Sequence, residues 1–363
     1  MAKSATRTFG ILTSGGDCPG LNAAIRGVAK AAYEKYAMNI IGINNGYRGL
    51  IEGDVRLLNA ADFSGILTQG GTILRTSREK PFKEDGMHDS EAGRNKPEAI
   101  IENYKKLNLD CLVIIGGNGT LKTASLLKKE GLSVICLPKT IDNDIWGTDL
   151  SFGFHSAVDI ATKSIDRLHS TACSHSRVMV IELMGHKVGW LSLYAGISGG
   201  GDVILIPEIP YSIESIHRHL MKRAKNGKNF SIVVVAEGAV SMEEASQHKS
   251  GHKKAKKNGY VPRGYEVAQA IQETADLEAR LTVLGYLQRG GTPSPYDRLL
   301  ATIFGTAAAE LMHRGDYGNM VALEGTQVVS RPLEDVAGKL KIVPLDHPLI
   351  ETARSVGTCF GDD

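Results

Sequence analysis

The chain has 363 residues, 42% of them hydrophobic, enough to bury the core of two domains or of one large α/β unit. Its 42 Lys and Arg against 40 Asp and Glu give no charge argument for a nucleic-acid or membrane partner. The five cysteines are odd in number and lack C-x-x-C spacing, which disfavours a disulfide framework or a zinc site. We therefore expect a cytoplasmic protein.

Short apolar runs alternate with helical patterns along the chain. In chain order, the first half predicts a strand at 8–12, a helix at 21–33, a strand at 40–43, a helix at 97–107, a strand at 111–115, a helix at 120–129 and a strand at 133–137. From about residue 154 the alternation starts again, with a strand at 178–183, the segment 189–197, a strand at 202–206, a helix at 213–225 and a strand at 231–236. This repetition predicts an α/β fold of two Rossmann-like lobes with mainly parallel sheets.

Residues 241–260 (SMEEASQHKSGHKKAKKNGY) break the alternation and are rich in Lys, His and Gly. We predict a solvated, mobile surface insertion there. A lid that attracts phosphate is the alternative.

Glycine-rich turns follow predicted strands at residues 13–20 (TSGGDCPG), 70–72 (GGT) and 116–120 (GGNGT). Backbone N–H groups in such turns, together with a helix N-terminus, can bind an anion, although many α/β folds have Gly-Gly turns for steric reasons alone. The sequence lacks G-x-x-x-x-G-K-[ST], which excludes a P-loop enzyme, and lacks G-x-G-x-x-G with a later acidic residue, which disfavours a nicotinamide-binding fold.

The segment 138–144 (PKTIDND) follows a predicted strand and places Asp142 and Asp144 two positions apart. In an extended backbone both side chains would lie on one face. Phosphoryl transfer needs a group that accepts the proton of the attacking hydroxyl and other groups that offset phosphate charge. The alternative is an Asp-rich turn with local hydrogen bonds.

Together these motifs resemble those of the phosphofructokinase family. The resemblance rests on 14–17 (SGGD), 19–22 (PGLN), 116–120, 138–144, Met184-Gly185, 235–238 (VAEG), 284–292 (LGYLQRGGT) and 295–298 (PYDR), which occur in the family's order. It implies transfer of the γ-phosphoryl group of ATP to the C1 hydroxyl of fructose 6-phosphate, with Mg²⁺ as cofactor. It also implies a homodimer or homotetramer with shared active sites.

The resemblance assigns a role to individual residues. Asp142 would be the general base, and Asp144, Thr140 and Gly15 would assist catalysis. The donor-binding residues would be Gly15, Arg78, Gly117, Asn118, Gly119, Thr120 and Lys139, with Asn118 also at the metal. The substrate-binding residues would be Thr140, Ile141, Asp142, Arg177, Met184, Gly185, His186, Glu237, Arg280, Tyr286, Gln288 and Arg289. Arg177, Arg280 and Arg289 would grip the sugar phosphate, because guanidinium groups suit that task. We predict a donor-binding lobe at 1–153 with about 288–338 and a sugar-phosphate lobe at 154–287 with about 339–363.

Three positions depart from the family pattern. Asn118 stands where the family has a metal-linked aspartate, so the metal would depend more on the donor phosphates and on Asp17 or Asp142. His186 replaces an arginine of many members, and Tyr286 replaces a histidine.

Two residues bear on the phosphoryl donor. Gly119 leaves room for the α-phosphate and adenosine of ATP, whereas an aspartate there would repel them. Lys139 favours the other donor, because pyrophosphate-dependent members typically carry lysine at this position. ATP is the favoured interpretation and pyrophosphate the alternative. A non-catalytic sugar-phosphate-binding paralogue is a further alternative because of Asn118, and NAD or lipid kinases share only the 116–120 turn.

Overall fold

The computed structural model describes residues 6–83, 95–249, 261–275 and 277–362. Two compact units divide the chain: unit 1 comprises Met1–Ser156 and Arg289–Lys341, and unit 2 comprises Ala157–Gln288 and Ile342–Asp363. The assignment of donor binding to one lobe and sugar-phosphate binding to the other stays a prediction.

The strands, in chain order over the described residues, are β1 (Thr8–Ser14), β2 (Asn39–Ile43), β3 (Val55–Leu58), β4 (Cys111–Gly116), β5 (Val134–Pro138), β6 (Val178–Leu183), β7 (Val203–Leu205), β8 (Ser231–Ala236), β9 (Ala279–Val283), β10 (Asn319–Glu324) and β11 (Gln327–Pro332). The α-helices are α1 (Leu21–Lys30), α2 (Tyr47–Glu52), α3 (Lys96–Lys106), α4 (Asn118–Lys129), α5 (Phe154–His175), α6 (Trp190–Ser198), α7 (Ile213–Lys225), α8 (Met242–Lys249), α9 (Arg263–Ala275), α10 (Pro295–Arg314), α11 (Leu333–Val336) and α12 (Pro348–Ser355).

Unit 1 contains a sheet in the order β11-β10-β5-β4-β1-β2-β3. The five central strands run parallel, and β3 and β11 close the two edges antiparallel. Every residue of β4 and β5 is buried, which explains their continuous apolar sequences. Full burial of each Val, Ile or Leu side chain contributes about 1.5–3 kcal/mol to folding, so these strands form the centre of the core.

Unit 2 contains a sheet in the order β7-β8-β6-β9, in which all paired strands run parallel. Its core includes side chains from the sheet, α7 and α9. The predicted α/β class with two mainly parallel sheets is therefore confirmed. Within the described residues, no helix combines the length and apolar character needed to cross a bilayer.

The first part of the 241–260 segment forms a helix in the structure. Residues from Met242 onward form α8, and Ser241 starts it with a capping box: the Ser241 Oγ accepts from the Glu244 N–H, and the Ser241 N–H donates to the Glu244 carboxylate, both at 3.2 Å. Residues 250–260 lie outside the described residues.

Candidate active site

Three of the predicted motifs follow neighbouring strands of unit 1, where β5, β4 and β1 lie side by side. Gly15 follows β1, Gly117 follows β4 and Lys139 follows β5. In an open parallel sheet, ligands bind outside the carboxyl ends of the strands, where the strand order reverses. The chain proceeds from β1 to β2 on one side and returns to β4 on the other, so the reversal lies between β1 and β4.

Gly15 has a left-handed backbone, with φ of +88°. Its N–H donates to the Ser77 carbonyl at 2.9 Å, and its carbonyl accepts from the Thr76 Oγ1 at 2.7 Å. The Gly15 N–H already has a partner and so does not donate a hydrogen bond to a phosphate. Gly15 can instead help to bind a ligand because it has no side chain to occupy the space. The exposed Arg78 follows Ser77 directly.

The 116–120 turn opens α4. Its N-cap Gly117 has no side-chain capping bond, and the first N–H groups of a helix have no intrahelical acceptor. These groups and the helix dipole make this end a site for an anion. A Cβ built on the exposed Gly119 would meet no atom within 4 Å, so the space above this turn is open.

Lys139 brings the turns together. Its buried ammonium donates to the Gly16 carbonyl, and burial lowers the pKa of this lysine. A Cβ built on Gly15 would lie 3.6 Å from the Thr120 Oγ1 and 3.7 Å from the Lys139 Nζ. The two glycine turns and the lysine therefore meet at one place in unit 1.

The backbone that carries Asp142 and Asp144 is bent rather than extended. Asn143 between them has φ of +53°, so the argument that an extended backbone puts both carboxylates on one face is wrong. The reason is a set of tertiary hydrogen bonds, because the Asn143 Oδ1 accepts from the Ser151 N–H at 3.1 Å. The Ser151 hydroxyl donates to the Thr140 carbonyl at 3.0 Å.

Two further contacts fix the bend. The Asp142 N–H donates to the Thr140 Oγ1 at 3.1 Å, and the Ile141 side chain is fully buried. The carboxylate of Asp142 thus lies on a bend that begins one residue after Lys139. Hydrogen bonds involving Thr140 and Ser151 fix the backbone of this bend.

In unit 2, the carboxyl ends of β6, β8 and β9 lead to a second group of predicted residues. The Met184 N–H donates to the Gln288 Oε1 at 2.8 Å, and the Glu237 N–H donates to the Leu183 carbonyl at 2.9 Å. The Gly238 N–H donates to the Gly185 carbonyl at 3.2 Å. These bonds join the turns that carry Met184, Gly185, Glu237 and Gln288.

Gln288 is fully buried, and its Nε2 has no hydrogen-bond partner among the described residues. An unpaired buried amide N–H is costly, and a bound ligand would remove that cost. His186 and Tyr286 are both exposed, and the Tyr286 side chain is 77% accessible.

Arg177 and Arg280 lie at the other end of the same sheet. Arg177 immediately precedes β6, Arg280 is the second residue of β9, and the Glu278 carboxylate pairs with both guanidinium groups, at 2.8 Å from the Arg177 Nη2. The Arg177 hydrogen bond is the main reason that the pKa of Glu278 is lowered. Because a strand rises about 3.3 Å per residue, Arg177 and Met184 are on the order of 20 Å apart.

The comparisons with known proteins decide the family. A family model described as Phosphofructokinase matches residues 8–312. The chain belongs to the phosphofructokinase family. It is 72% identical over 364 residues to the ATP-dependent 6-phosphofructokinase of Spirochaeta thermophila, covering 100% of both chains. It is 53% identical to ATP-dependent 6-phosphofructokinase 3 of Bacteroides thetaiotaomicron, covering 97% of this chain and 99% of the relative.

A solved phosphofructokinase from Pichia pastoris has 30% sequence identity and a TM-score of 0.80. The match covers 98% of this chain and 37% of that chain, so this chain spans well under half of the yeast protein.

The three arginines predicted to bind the sugar phosphate are divided between the two units. The Arg289 Nη1 donates to the Asp17 carbonyl at 3.0 Å in unit 1, next to the glycine turn after β1. Arg177 and Arg280 share Glu278 in unit 2.

A metal ion bound to this chain would need ligands other than protein side chains. The described residues contain no cluster of three or more Asp, Glu, His or Cys side chains that could hold an ion. The Asn118 Nδ2 donates to the Lys339 carbonyl at 2.8 Å, so the amide group is anchored and its oxygen is the atom left for a cation. This donor set fits a divalent ion held mainly by donor phosphates, with few protein oxygens.

Sequence reasoning missed residues whose hydrogen bonds and ion pairs fix the predicted groups, namely Ser77, Asn143, Ser151 and Glu278. Asn143 carried a usable signal, because asparagine is enriched in the left-handed region. Ser77 contacts Gly15, and Glu278 contacts Arg177, across long stretches of chain, and Ser151 contacts Asn143 over eight residues, so none of them leaves a local pattern.

Proposed function

We propose that this chain is an ATP-dependent 6-phosphofructokinase that transfers the γ-phosphoryl group of ATP to the C1 hydroxyl of D-fructose 6-phosphate, yielding fructose 1,6-bisphosphate. The observation that carries the proposal is the 72% identity, over the full length of both chains, to a protein of that name. The chain is thus a phosphotransferase with an alcohol acceptor, and donor binding is assigned to unit 1 and sugar-phosphate binding to unit 2.

The donor half uses the turns after β1, β4 and β5. The free N–H groups at the start of α4 bind phosphate oxygens, and the Lys139 ammonium lies beside the same turns. The open space at Gly119 admits the α-phosphate and nucleoside. A divalent ion, proposed as Mg²⁺ near Asn118, would offset charge on the donor phosphates.

The acceptor half depends on Asp142. Its carboxylate takes the proton of the C1 hydroxyl as that oxygen attacks the phosphorus. Thr140 holds the backbone of Asp142 in place, and Asp144 lies two residues along the same bend. Met184, Gly185, Glu237 and the unpaired Gln288 amide are proposed to bind the sugar.

We propose that the active sites are shared between copies in a homodimer or homotetramer. Arg177 and Arg280 lie on the order of 20 Å from Met184, across the length of β6, so the two groups of unit 2 residues do not serve one sugar phosphate. The arginine pair of one copy is therefore assigned to the sugar phosphate bound by another copy.

Pyrophosphate is the second candidate donor, because Lys139 is buried where the donor turns meet. The test is a coupled assay for fructose 1,6-bisphosphate with purified protein and fructose 6-phosphate, with each donor in turn. We expect kcat/KM for ATP to exceed that for pyrophosphate by at least about 100-fold, or about 2.7 kcal/mol. Turnover with pyrophosphate alone would contradict the donor assignment, and turnover with neither donor would contradict the activity.

A further inference from the structure

Residues 339–341 run between two of the functional turns of unit 1. The Lys339 carbonyl accepts from the Asn118 Nδ2 at 2.8 Å, at the start of α4. Leu340 forms an antiparallel bridge with Ile145, and the Lys341 N–H donates to the Asp144 carbonyl at 2.9 Å. This short segment, named here the 339–341 segment, thus joins the donor turn to the bend that carries Asp142.

The Lys341 side chain holds the far side of the same bend. Its ammonium donates to the Thr148 carbonyl at 3.0 Å and to the Asp149 carbonyl at 2.7 Å. The Asp149 carbonyl also accepts from the Asn143 Nδ2, at 3.3 Å. One lysine therefore contacts the chain on both sides of residues 145–147, through its backbone and through its side chain.

The burial of the Lys341 ammonium changes its pKa. Burial lowers the pKa of Lys341 to about 8, although the carboxylates of Asp149 and Asp144 act in the opposite direction. A solvent-exposed lysine would keep its ordinary pKa.

We propose that Lys341 is a positioning residue for Asp142, and that the 339–341 segment sets the carboxylate bend relative to the donor turn. This inference depends on the proposed function. The bend has no regular secondary structure, so its geometry depends on the few hydrogen bonds that reach it. A general base displaced by about 1 Å can cost about 100-fold in rate.

Asn118 contributes to this arrangement because it is an amide. Its NH₂ group donates to the Lys339 carbonyl, whereas an ionised aspartate at this position would have only acceptor oxygens facing that carbonyl. The asparagine thus supplies a tether that a carboxylate would not provide.

The experiment compares Lys341→Met, which removes the ammonium and keeps much of the side-chain length, with Lys341→Arg, which keeps donors and charge. For Lys341→Met we expect kcat to fall by about 10- to 100-fold, with KM for both substrates within about threefold of the parent. Lys341→Arg should recover most of the turnover. Lys341→Gln, which keeps a donor for one carbonyl, should fall between them and replaces Lys341→Met if that variant does not fold.

Lys128→Met is the matched control. Its ammonium also contacts a backbone carbonyl, that of Gly318 at 3.4 Å, and pairs with Glu334 at 2.7 Å, near the C-terminal end of α4 and away from the carboxylate bend. Its kcat should stay near that of the parent even if stability falls. Parental kcat in Lys341→Met, or an equal loss in Lys128→Met, would overturn the inference.

A second readout separates this inference from the proposed function. Trp146 lies on the bend and is 48% exposed, whereas Trp190 is only 6% exposed, so acrylamide quenching reports mainly on Trp146. We expect faster quenching in Lys341→Met than in Lys128→Met at unchanged far-UV circular dichroism. Equal quenching would overturn the positioning role. Inactivity of the parent with fructose 6-phosphate and ATP would instead contradict the proposed function.

Discussion

The two units place their functional residues differently. In unit 1 the predicted residues gather at the carboxyl ends of β1, β4 and β5, where Lys139 contacts both glycine turns. In unit 2 they occupy both ends of one sheet, with Met184 after β6 and Arg177 before it. The first arrangement can be complete within one chain, whereas the second is the basis of the proposal that two copies share their residues.

The largest expected effect is that of Asp142→Asn in unit 1. Loss of the general base should lower kcat by about 10³-fold or more with little change in KM, because the amide cannot take the hydroxyl proton. The coupled assay measures this, with an unfolding curve to show that the variant is folded.

Asp149→Asn is the matched control, since its carboxylate belongs to the same loop and accepts from the Gly325 N–H at 2.6 Å. It should keep most of the turnover. Near-parental turnover in Asp142→Asn would remove the base from the mechanism.

Gly119→Asp tests the donor side of unit 1. A Cβ at this position meets no protein atom within 4 Å, and an acidic residue in the first turn of α4 suits the helix dipole, so the fold should tolerate the change. Like charges about 4 Å apart repel by about 4 kcal/mol near a protein surface, so kcat/KM for ATP should fall by about 100- to 1,000-fold.

Gly119→Ala provides the comparison for that variant, because it adds the Cβ without the charge. It should retain most of the ATP-dependent activity. An equal loss in both variants would show that space rather than charge is limiting, and no loss in either would place the donor elsewhere.

The smallest expected effect is on the pH dependence of stability and concerns His155 in unit 1. His155 packs against Tyr296 with ring centroids 4.2 Å apart and ring planes tilted by 50°. Burial lowers the pKa of His155 below the ordinary value of 6.5, and the charge of Asp297 partly opposes this shift. His155 therefore binds a proton less readily in the folded state than in the unfolded state. The contribution of neutral His155 to the free energy of unfolding is present above pH 6.5 and is lost as the pH falls through the lowered pKa.

The urea midpoint of the parent should thus decrease more steeply between about pH 7 and 5 than that of His155→Gln. Parallel curves for the two proteins would show that His155 does not titrate differently in the folded and unfolded states.

Continuous burial made several strands predictable from the sequence. The runs that became β1, β4, β5, β6 and β8 were predicted because parallel strands covered on both faces are apolar throughout. Strands with exposed residues, such as β3, β9 and β11, gave no such pattern and were missed. The strand β10 was also missed, although four of its six residues are buried.

The site was predictable in its motifs but not in its geometry. The left-handed Asn143 depends on hydrogen bonds with Ser151, and the pairing of Arg177 and Arg280 depends on Glu278, a residue about 100 positions away from Arg177. Such partners are set by the topology of the sheet, so local sequence does not reveal them.

The most direct test of the difference between the two units is a mixing experiment. Asp142→Asn and the double variant Arg177→Ala with Arg280→Ala are co-expressed with different tags, and the hybrid oligomers are purified and assayed. If the arginine pair serves a neighbouring copy, each hybrid dimer has one intact site of two, so the purified hybrid dimers should show about half of the parental activity. Activity no greater than the sum of the two separate variants would contradict the sharing of sites between copies.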